Sequence, residues 1–303
     1  MSVVVTGAAG FIGRALTRVL AESGHRVVAI DRRPRAAAPG VTVLAADLLD
    51  RDPLVEVALR DAEAVFHLAG CPGVRDTAPG VDRRRHRDNV EATRLVCAVV
   101  PAGVPLVVAS SSSVYGGARF GRASHESDPL HPRGGYARSK AGAEAACAPR
   151  AAGGGHVLVV RPFTVVGEGQ RADMALSRWA SAARAGDPLR IFGSLERTRD
   201  FTCVREVARG LHALVLRGAT GVVNLGSGGP RPLGDVVQAL AAVLGVDVDV
   251  RVEPAAHYEV ADTWADPRRF EVLAGFRPHT DLHDVVRRFL ADTSVAGPLA
   301  ATG

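Results

Sequence analysis

The sequence contains no long apolar run and no recognisable leader. No stretch approaches the roughly 20 uninterrupted apolar residues that a membrane-spanning helix needs. The N-terminus enters a hydrophobic strand pattern directly, without the basic region and cleavage site of a signal peptide. An apolar share of 47% is ordinary for a globular protein. We therefore expect a cytoplasmic protein that does not bind membranes.

Cysteine is scarce and shows no pattern. Four cysteines are scattered through the chain, with neither a CxxC motif nor the spacing of metal ligands. A chain of 303 residues can bury a sizeable core without disulfides. We expect reduced cysteines and no metal site.

Lysine is almost absent. The 37 basic residues comprise 36 arginines and a single lysine, Lys140, and the formal net charge is +5. The arginines are distributed, and the one basic run, residues 83–87, lies in a helical pattern where a solvated face is the usual explanation. Nucleic acid is therefore not an expected partner, since an anionic small ligand suits the charge equally well.

Short apolar runs alternate with amphipathic segments in the first part of the chain. The runs predict strands at residues 3–5, 26–30, 41–44, 64–67, 106–109 and 157–160. Helical patterns cover residues 11–22, 54–59, 81–100 and 134–148, and Pro149 is expected to stop the last. This alternation predicts an α/β fold of the Rossmann type, a doubly wound parallel sheet with helices on both faces.

The pattern becomes irregular after Arg161, with short helices at residues 174–185 and 233–244. We predict a large domain of residues 1–165 plus about 194–226. A smaller, C-terminal substrate-binding cap comprises about 166–193 and 227–292. Residues 293–303 lack periodicity, and we predict a flexible tail there.

A glycine-rich turn follows the first strand and opens the first helix, with the sequence Thr6-Gly7-Ala8-Ala9-Gly10-Phe11-Ile12-Gly13. Gly7 permits the tight turn, Gly10 lets the backbone approach a pyrophosphate, and Gly13 lets the helix pack closely on the strand. The helix N-terminus attracts the phosphates, and Phe11 and Ile12 lie at that end. The turn predicts that the large domain binds a dinucleotide.

Asp31 ends the second strand, 18 positions beyond Gly13. Its carboxylate can accept hydrogen bonds from the adenosine ribose and would repel a 2′-phosphate, so we predict NAD rather than NADP. Arg32 and Arg33 keep NADP open as an alternative, because arginines at this place can receive the 2′-phosphate.

Two further strand ends belong to the predicted cofactor site. Asp47 and Leu48 follow the third strand and are placed to meet the adenine, although a plain loop position explains Asp47 nearly as well. Leu68 and Ala69 follow the fourth strand, at the carboxyl edge where open α/β sheets bind ligands. We interpret His67, just before them, as a hydrogen-bonded structural histidine.

Tyr136 and Lys140 open the helix after the fifth strand, and their spacing of four puts both on one helical face. A free tyrosine titrates near 10 and is a poor base at neutral pH. A neighbouring ammonium and a positive nicotinamide ring favour the phenolate and lower that pKa. The only lysine of the chain therefore indicates a required ammonium, which can also hold the cofactor ribose. A surface pair is the alternative.

Four serines, Ser110 to Ser113, leave the fifth strand at its carboxyl end. A hydroxyl at this place can bind the reacting oxygen of a substrate and pass its proton to Tyr136. Together with the cofactor motifs, these residues resemble the extended short-chain dehydrogenase/reductase family, in its nucleotide-sugar epimerase/dehydratase branch, over nearly the whole chain. By this resemblance Ser111, Tyr136 and Lys140 are the catalytic residues.

The resemblance also narrows the chemistry. Sugar 4,6-dehydratases of this branch carry Asp-Glu where this chain has Ser112-Ser113, and the decarboxylases carry Glu at the second position. Because both acids are missing, the resemblance implies reversible oxidation and hence epimerisation. The segment from Arg161 to Ala175 is similar to one typical of UDP-glucuronate 4-epimerases.

That similarity implies a set of substrate contacts. Thr164 would face the sugar, Arg171 would lie near the uronate carboxylate, and Arg199 would grip the nucleotide phosphates. A surface Arg–Asp pair explains Arg199 equally well. The full set of implied substrate residues is Arg75, Ser111, Ser112, Ser113, Thr164, Arg171 and Arg199.

Two departures from the family pattern lie on the substrate side. Glu168 replaces a proline, and residues 257–260 read His-Tyr-Glu-Val in place of Pro-Gly-Asp-Val. The hypothesis is a UDP-sugar 4-epimerase, with UDP-glucuronate favoured over a neutral UDP-hexose. A 4-ketoreductase on the same scaffold and a non-catalytic NAD-binding protein are the alternatives. The resemblance implies a homodimer through the helices at 81–100 and 134–148.

Overall fold

Strands and helices alternate through most of the chain. The computed structural model describes residues 2–34, 38–118, 121–256 and 258–292. The strands are β1 (Ser2–Thr6), β2 (Val27–Asp31), β3 (Val41–Ala45), β4 (Ala62–His67), β5 (Leu106–Ala109), β6 (Val157–Pro162), β7 (Val165–Val166), β8 (Leu189–Phe192), β9 (Thr198–Arg199), β10 (Thr202–Cys203), β11 (Gly221–Leu225), β12 (Arg231–Pro232) and β13 (Val250–Glu253). The helices are α1 (Phe11–Glu22), α2 (Pro53–Arg60), α3 (Val81–Arg85), α4 (Ala92–Val99), α5 (Gly134–Ala152), α6 (Ala175–Ala185), α7 (Val204–Leu216), α8 (Leu233–Leu244), α9 (Arg268–Ala274) and α10 (Leu282–Ala291).

Seven of the strands form one parallel sheet, in the order β3-β2-β1-β4-β5-β6-β11. The chain first builds outward from β1 to β3 and then crosses to β4 on the other side of β1. The order therefore reverses between β1 and β4, and ligands bind at the carboxyl ends of strands at such a point. The predicted Rossmann-type sheet is confirmed.

The two faces of this sheet are buried under separate helical layers, because successive strand residues point to opposite sides. Val3 and Val5 of β1 pack with α1 and α7, in a cluster that includes Leu16 and Leu211. Val4 points the other way and packs with residues of α2, α4 and α5. Burial on both faces explains why the strands are almost entirely apolar.

Two predicted helices differ from expectation. Pro149 does not stop α5, which runs on to Ala152. The proline lies on an exposed face in the last turn, where the one backbone hydrogen bond that it removes can be replaced by water. The helix predicted at 81–100 contains a π-helical turn, His86–Glu91, between α3 and α4.

A third apolar cluster lies in the C-terminal part and joins α6, α8 and α10. It includes Trp179, Ile191, Leu240 and Phe289. Three small strand pairs, β7–β10, β8–β13 and β9–β12, lie outside the main sheet. The predicted domain boundaries stay a prediction, and the tail of residues 293–303 and His257 lie outside the described residues. None of the described helices has the length and apolarity to span a bilayer.

Candidate active site

The turn after β1 is a cradle that only glycine can form. Gly7 has a φ of +68°, and a Cβ there would lie 2.6 Å from the backbone nitrogen of Ala69. A Cβ on Gly13 would overlap the carbonyl oxygen of Gly7. Gly10 precedes the first residue of α1 and has no side chain to cap the free N–H groups of the first turn. Those groups are therefore available to a phosphate.

A cavity of about 1260 Å³ opens over the carboxyl ends of the strands. It is larger than the roughly 300–1,000 Å³ usual for a single small ligand. The structure brings every predicted cofactor residue to its lining: Gly7, Gly10, Phe11, Ile12, Gly13, Asp31, Asp47, Leu48, Leu68, Ala69, Tyr136 and Lys140.

The carboxylate of Asp31 is held in place by backbone donors. Its Oδ2 accepts from the N–H of Ala9 at 3.1 Å, and its Oδ1 accepts from that of Arg33 at 2.9 Å. A carboxylate has about four acceptor sites, so both oxygens can still accept from ribose hydroxyls. Asp47 instead caps a short turn through the N–H of Leu49 and pairs with Arg87.

His67 is a structural histidine, as predicted. Its Nδ1 lies 2.8 Å from Thr6 Oγ1 and its Nε2 lies 3.1 Å from Thr93 Oγ1. Burial, with a smaller effect from the charge of Lys140, lowers the pKa of His67 to about 3. The ring is therefore neutral at pH 7. Thr6 Oγ1 also accepts from the N–H of Ala69, so this set of contacts fixes the turn after β4.

Tyr136 and Lys140 occupy the first two turns of α5 and face the cavity together. The Lys140 side chain is buried, and its Nζ donates to the carbonyl oxygen of Ala109 at 2.8 Å. Burial lowers the pKa of Lys140 to about 8, although the nearby carboxylate of Glu144 opposes this shift. The ammonium form still predominates at neutral pH and keeps donors free for a ligand.

The tyrosine is a weaker acid in the protein than the sequence suggested. Burial raises the pKa of Tyr136, while a hydrogen bond shared with Ser111 and the charge of Arg171 offset part of that rise. A lowered pKa was expected from two positive charges near the phenol, those of the lysine and of a bound nicotinamide ring. Desolvation of the phenol outweighs the positive charges that the polypeptide itself supplies.

Ser111 lies just after β5, in the segment that leads to α5. Its Oγ accepts from the N–H of Ser113 at 3.2 Å and so caps the short turn Ser112–Tyr115. Because the same hydroxyl contacts Tyr136, it can relay a proton between the phenol and a substrate oxygen. Contact of Ser112 and Ser113 with a substrate stays a prediction.

The remaining predicted substrate residues occupy two places. Arg171 lines the large cavity, where its guanidinium pairs with Asp173 through two contacts of 2.9 and 3.0 Å. Arg75, Thr164 and Arg199 line a neighbouring cavity of about 120 Å³. Their contacts with a substrate stay predictions, and the two cavities together outline an extended site.

Arg199 is not paired with the acid that follows it. Its guanidinium donates to the carbonyl oxygens of Thr198, Val260 and Ala261, and burial lowers its pKa to about 10. Asp200 is fully buried and accepts hydrogen bonds from Ser227 and from other backbone N–H groups. The alternative of a surface Arg–Asp pair is therefore wrong.

A buried ion pair between α5 and β6 was missed in the sequence. Arg161 donates to Glu144 through Nε at 2.9 Å and through Nη2 at 2.6 Å. Glu144 also accepts from Ser110, and Arg161 stacks on the ring of Tyr115. The signal was the position of Glu144, one helical turn after Lys140, opposite an arginine in an otherwise apolar strand.

The sequence comparisons agree with this geometry. Residues 3–226 match the NAD dependent epimerase/dehydratase family. The chain belongs to this family. An uncharacterized UDP-glucose epimerase of Bacillus subtilis (strain 168), YtcB, is 31% identical over 94% of this chain and 95% of its own length. The family resemblance predicted from the motifs is confirmed.

Two solved structures match the fold almost from end to end. MoeE5 in complex with UDP-glucuronic acid and NAD is 36% identical, with a TM-score of 0.88 over 98% of this chain and 100% of that one. The UDP-glucuronic acid 4-epimerase from Bacillus cereus, in complex with UDP-glucuronic acid and NAD, is 27% identical, with the same TM-score and coverage. The glycine cradle, Asp31 and the large cavity fit the same cofactor, and the cofactor of this protein is NAD.

Proposed function

We propose that the protein is a UDP-sugar 4-epimerase and that UDP-glucuronate is its substrate. The observation that carries the proposal is the surroundings of Tyr136. A serine hydroxyl contacts the phenol, and Arg171 lines the same cavity. The turn at residues 110–113 offers only hydroxyls where elimination or decarboxylation would need an acid.

The polypeptide supplies the proton chemistry of this reaction. Tyr136 removes the proton of the C4 hydroxyl, directly or through Ser111, and returns a proton when the keto group is reduced. Lys140 lies one turn away, and its ammonium favours the phenolate that this step requires. Bound NAD would supply the hydride acceptor and donor for this reaction, and the glycine turn after β1, Asp31 and Lys140 would hold it.

Arg171 accounts for the choice of a uronate. Its guanidinium is about two-fifths exposed and already binds one carboxylate, that of Asp173. A fork of this kind binds a second carboxylate with the same two-point geometry, so a substrate carboxylate can displace Asp173. An exposed ion pair of this type contributes at most about 1 kcal/mol, so the exchange costs little.

Incubation with UDP-glucuronate tests the proposal. We expect UDP-galacturonate to form without added reductant, measured by NMR at C4. No product from a folded, NAD-loaded protein contradicts the substrate assignment. Stoichiometric oxidation of added NADH by a 4-keto nucleotide sugar would instead indicate a 4-ketoreductase, and release of CO₂ from UDP-glucuronate would indicate a decarboxylase.

Two variants separate catalysis from binding. Tyr136→Phe removes the base without altering the cradle, so it should retain NAD and lose turnover. An unchanged rate would contradict its role as the base, whereas NAD binding without turnover in the native protein would indicate the non-catalytic alternative. Arg171→Ala should raise the KM for UDP-glucuronate by about tenfold, the scale of one charge-assisted contact. It should leave the KM for a neutral UDP-hexose unaffected, which serves as the matched control.

A further inference from the structure

Four charged side chains form a closed ring at the adenosine end of the large cavity. The ring comprises Arg32, Asp47, Arg87 and Asp88, and three of these, Arg32, Asp47 and Asp88, line the cavity beside Asp31. Arg87 donates to Asp47 at 2.7 Å and to Asp88 at 2.6 Å. Arg32 donates to Asp88 at 2.8 Å, and a nitrogen of its guanidinium lies 3.5 Å from Asp47.

The carboxylates of the ring are its more buried part. The Asp88 side chain is 10% exposed, in the π-helical turn between α3 and α4, whereas that of Arg32 is 50% exposed. The Oδ1 of Asp47 also caps the turn after β3. Both carboxylates are less exposed than the two arginines that pair with them. Two acids and two arginines leave the ring without net charge.

Arg32 lies at a position where an arginine can favour the binding of NADP over NAD. It follows the acid that ends β2, and an arginine near that acid can accommodate the 2′-phosphate of NADP. Here the guanidinium of Arg32 already pairs with the carboxylates of Asp47 and Asp88, and both contacts to Asp88 use its terminal nitrogens. A 2′-phosphate could recruit Arg32 only by breaking this pairing.

We propose that Asp88 is a positioning residue for cofactor choice, because it holds Arg32 away from a 2′-phosphate and so favours NAD over NADP. Asp31 is placed to accept hydrogen bonds from the ribose itself, whereas Asp88 acts on the arginine next to Asp31. The inference depends on dinucleotide binding alone and is independent of the sugar that the enzyme converts.

Arg33 offers a matched control. It also lines the cavity, and its backbone N–H donates to Asp31. Among the described residues, no acid is paired with its side chain. If any nearby arginine could bind the 2′-phosphate, Arg33 would bind it more readily than Arg32. Replacing Asp88 would then not change the binding of NADP through Arg33.

Competition between the two cofactors provides the measurement. The protein is equilibrated by dialysis with mixtures of NAD and NADP, and the bound nucleotides are quantified by chromatography. Asp88→Asn keeps the size of the side chain and removes its charge. We expect the ratio of bound NADP to NAD to rise roughly tenfold, the scale of one charge-assisted hydrogen bond.

The double variants identify the cause of that rise. The double variant Asp88→Asn with Arg32→Ala should return the ratio of bound NADP to NAD to its native value, because no Arg32 is left to bind the 2′-phosphate. Asp88→Asn with Arg33→Ala should keep the rise. If the rise persists without Arg32, loss of a negative charge alone explains it and the proposal is wrong.

Arg32→Ala in the native background gives an independent answer if Asp88→Asn does not fold. We expect this variant to leave the ratio unchanged, because the native Arg32 does not contact the phosphate. A selective loss of NADP binding would mean that Arg32 already reads the 2′-phosphate, which overturns the inference. An unchanged ratio in folded Asp88→Asn overturns it equally.

Discussion

Replacing Glu144 by Gln should show how strongly the buried ion pair between α5 and β6 contributes to stability. The Arg161 side chain is 5% exposed and that of Glu144 is 10% exposed, so neither charge can turn to solvent when its partner is removed. Glutamine keeps one acceptor oxygen. Its NH₂ group, however, would face an N–H donor of Arg161, which leaves a buried guanidinium partly unpaired.

The expected loss is large for one substitution. Breaking a buried ion pair on one side costs about 3–5 kcal/mol. At roughly 2–4 °C per kcal/mol, Tm should fall by roughly 6–20 °C. The matched control is Asp284→Asn, which breaks an exposed pair with Arg288 on α10 and should cost less than about 1 kcal/mol.

Catalysis provides a second measurement. Glu144 raises the pKa of Lys140 against the effect of burial, so its loss should lower that pKa further. The basic limb of the activity profile should then move toward lower pH in Glu144→Gln and stay in place in Asp284→Asn. Equal melting temperatures for the two variants, or an unmoved basic limb, would refute this account of the ion pair.

Three further changes test other parts of the structure. Gly13→Ala should abolish retention of NAD, since its Cβ overlaps the carbonyl oxygen of Gly7, whereas Gly103→Ala, with open space around it, should purify with a full complement of NAD. Arg150→Met should lower the free energy of unfolding by about 2–4 kcal/mol, because its guanidinium donates to carbonyl oxygens of residues 97–104; Arg138→Met, at an exposed position of the same helix, should be neutral in the same thermal melt. Burial lowers the pKa of His67 to about 3, so the unfolded chain binds the proton that the folded protein excludes. Its contribution to stability is full above about pH 6.5 and should fall by about 1.4 kcal/mol per pH unit down to about pH 3. His67→Asn should flatten that part of the profile of stability against pH, and an identical slope would contradict the assignment.

Local chemistry made much of the cofactor site predictable. The glycines of the first turn are required because a side chain there would overlap neighbouring backbone atoms. The strands are apolar because both faces of the sheet are covered. The position of Asp31 was predictable from the length of one strand-helix-strand unit. The Tyr136–Lys140 spacing follows from the helical period, which places the two side chains on one face whatever the rest of the fold does.

Contacts between distant segments were not predictable in the same way. The sequence places Arg32 beside Asp31, but its partner Asp88 comes from a helix 56 residues later. The pairing of Glu144 with Arg161 likewise needs α5 to lie over β6. Arg199 appeared to have a natural partner in Asp200, yet both side chains turn to other segments.

The pKa of Tyr136 likewise depends on tertiary contacts that the sequence does not show. The residue types around the phenol were predicted correctly, and the direction of the shift was not, because desolvation depends on how deeply the helix is covered. Sequence alone determined the fold class, the family and the cofactor, since each depends on short spacings and backbone requirements. Tertiary structure alone decided which charges meet and how far each is removed from water, because those depend on packing between segments far apart in the chain.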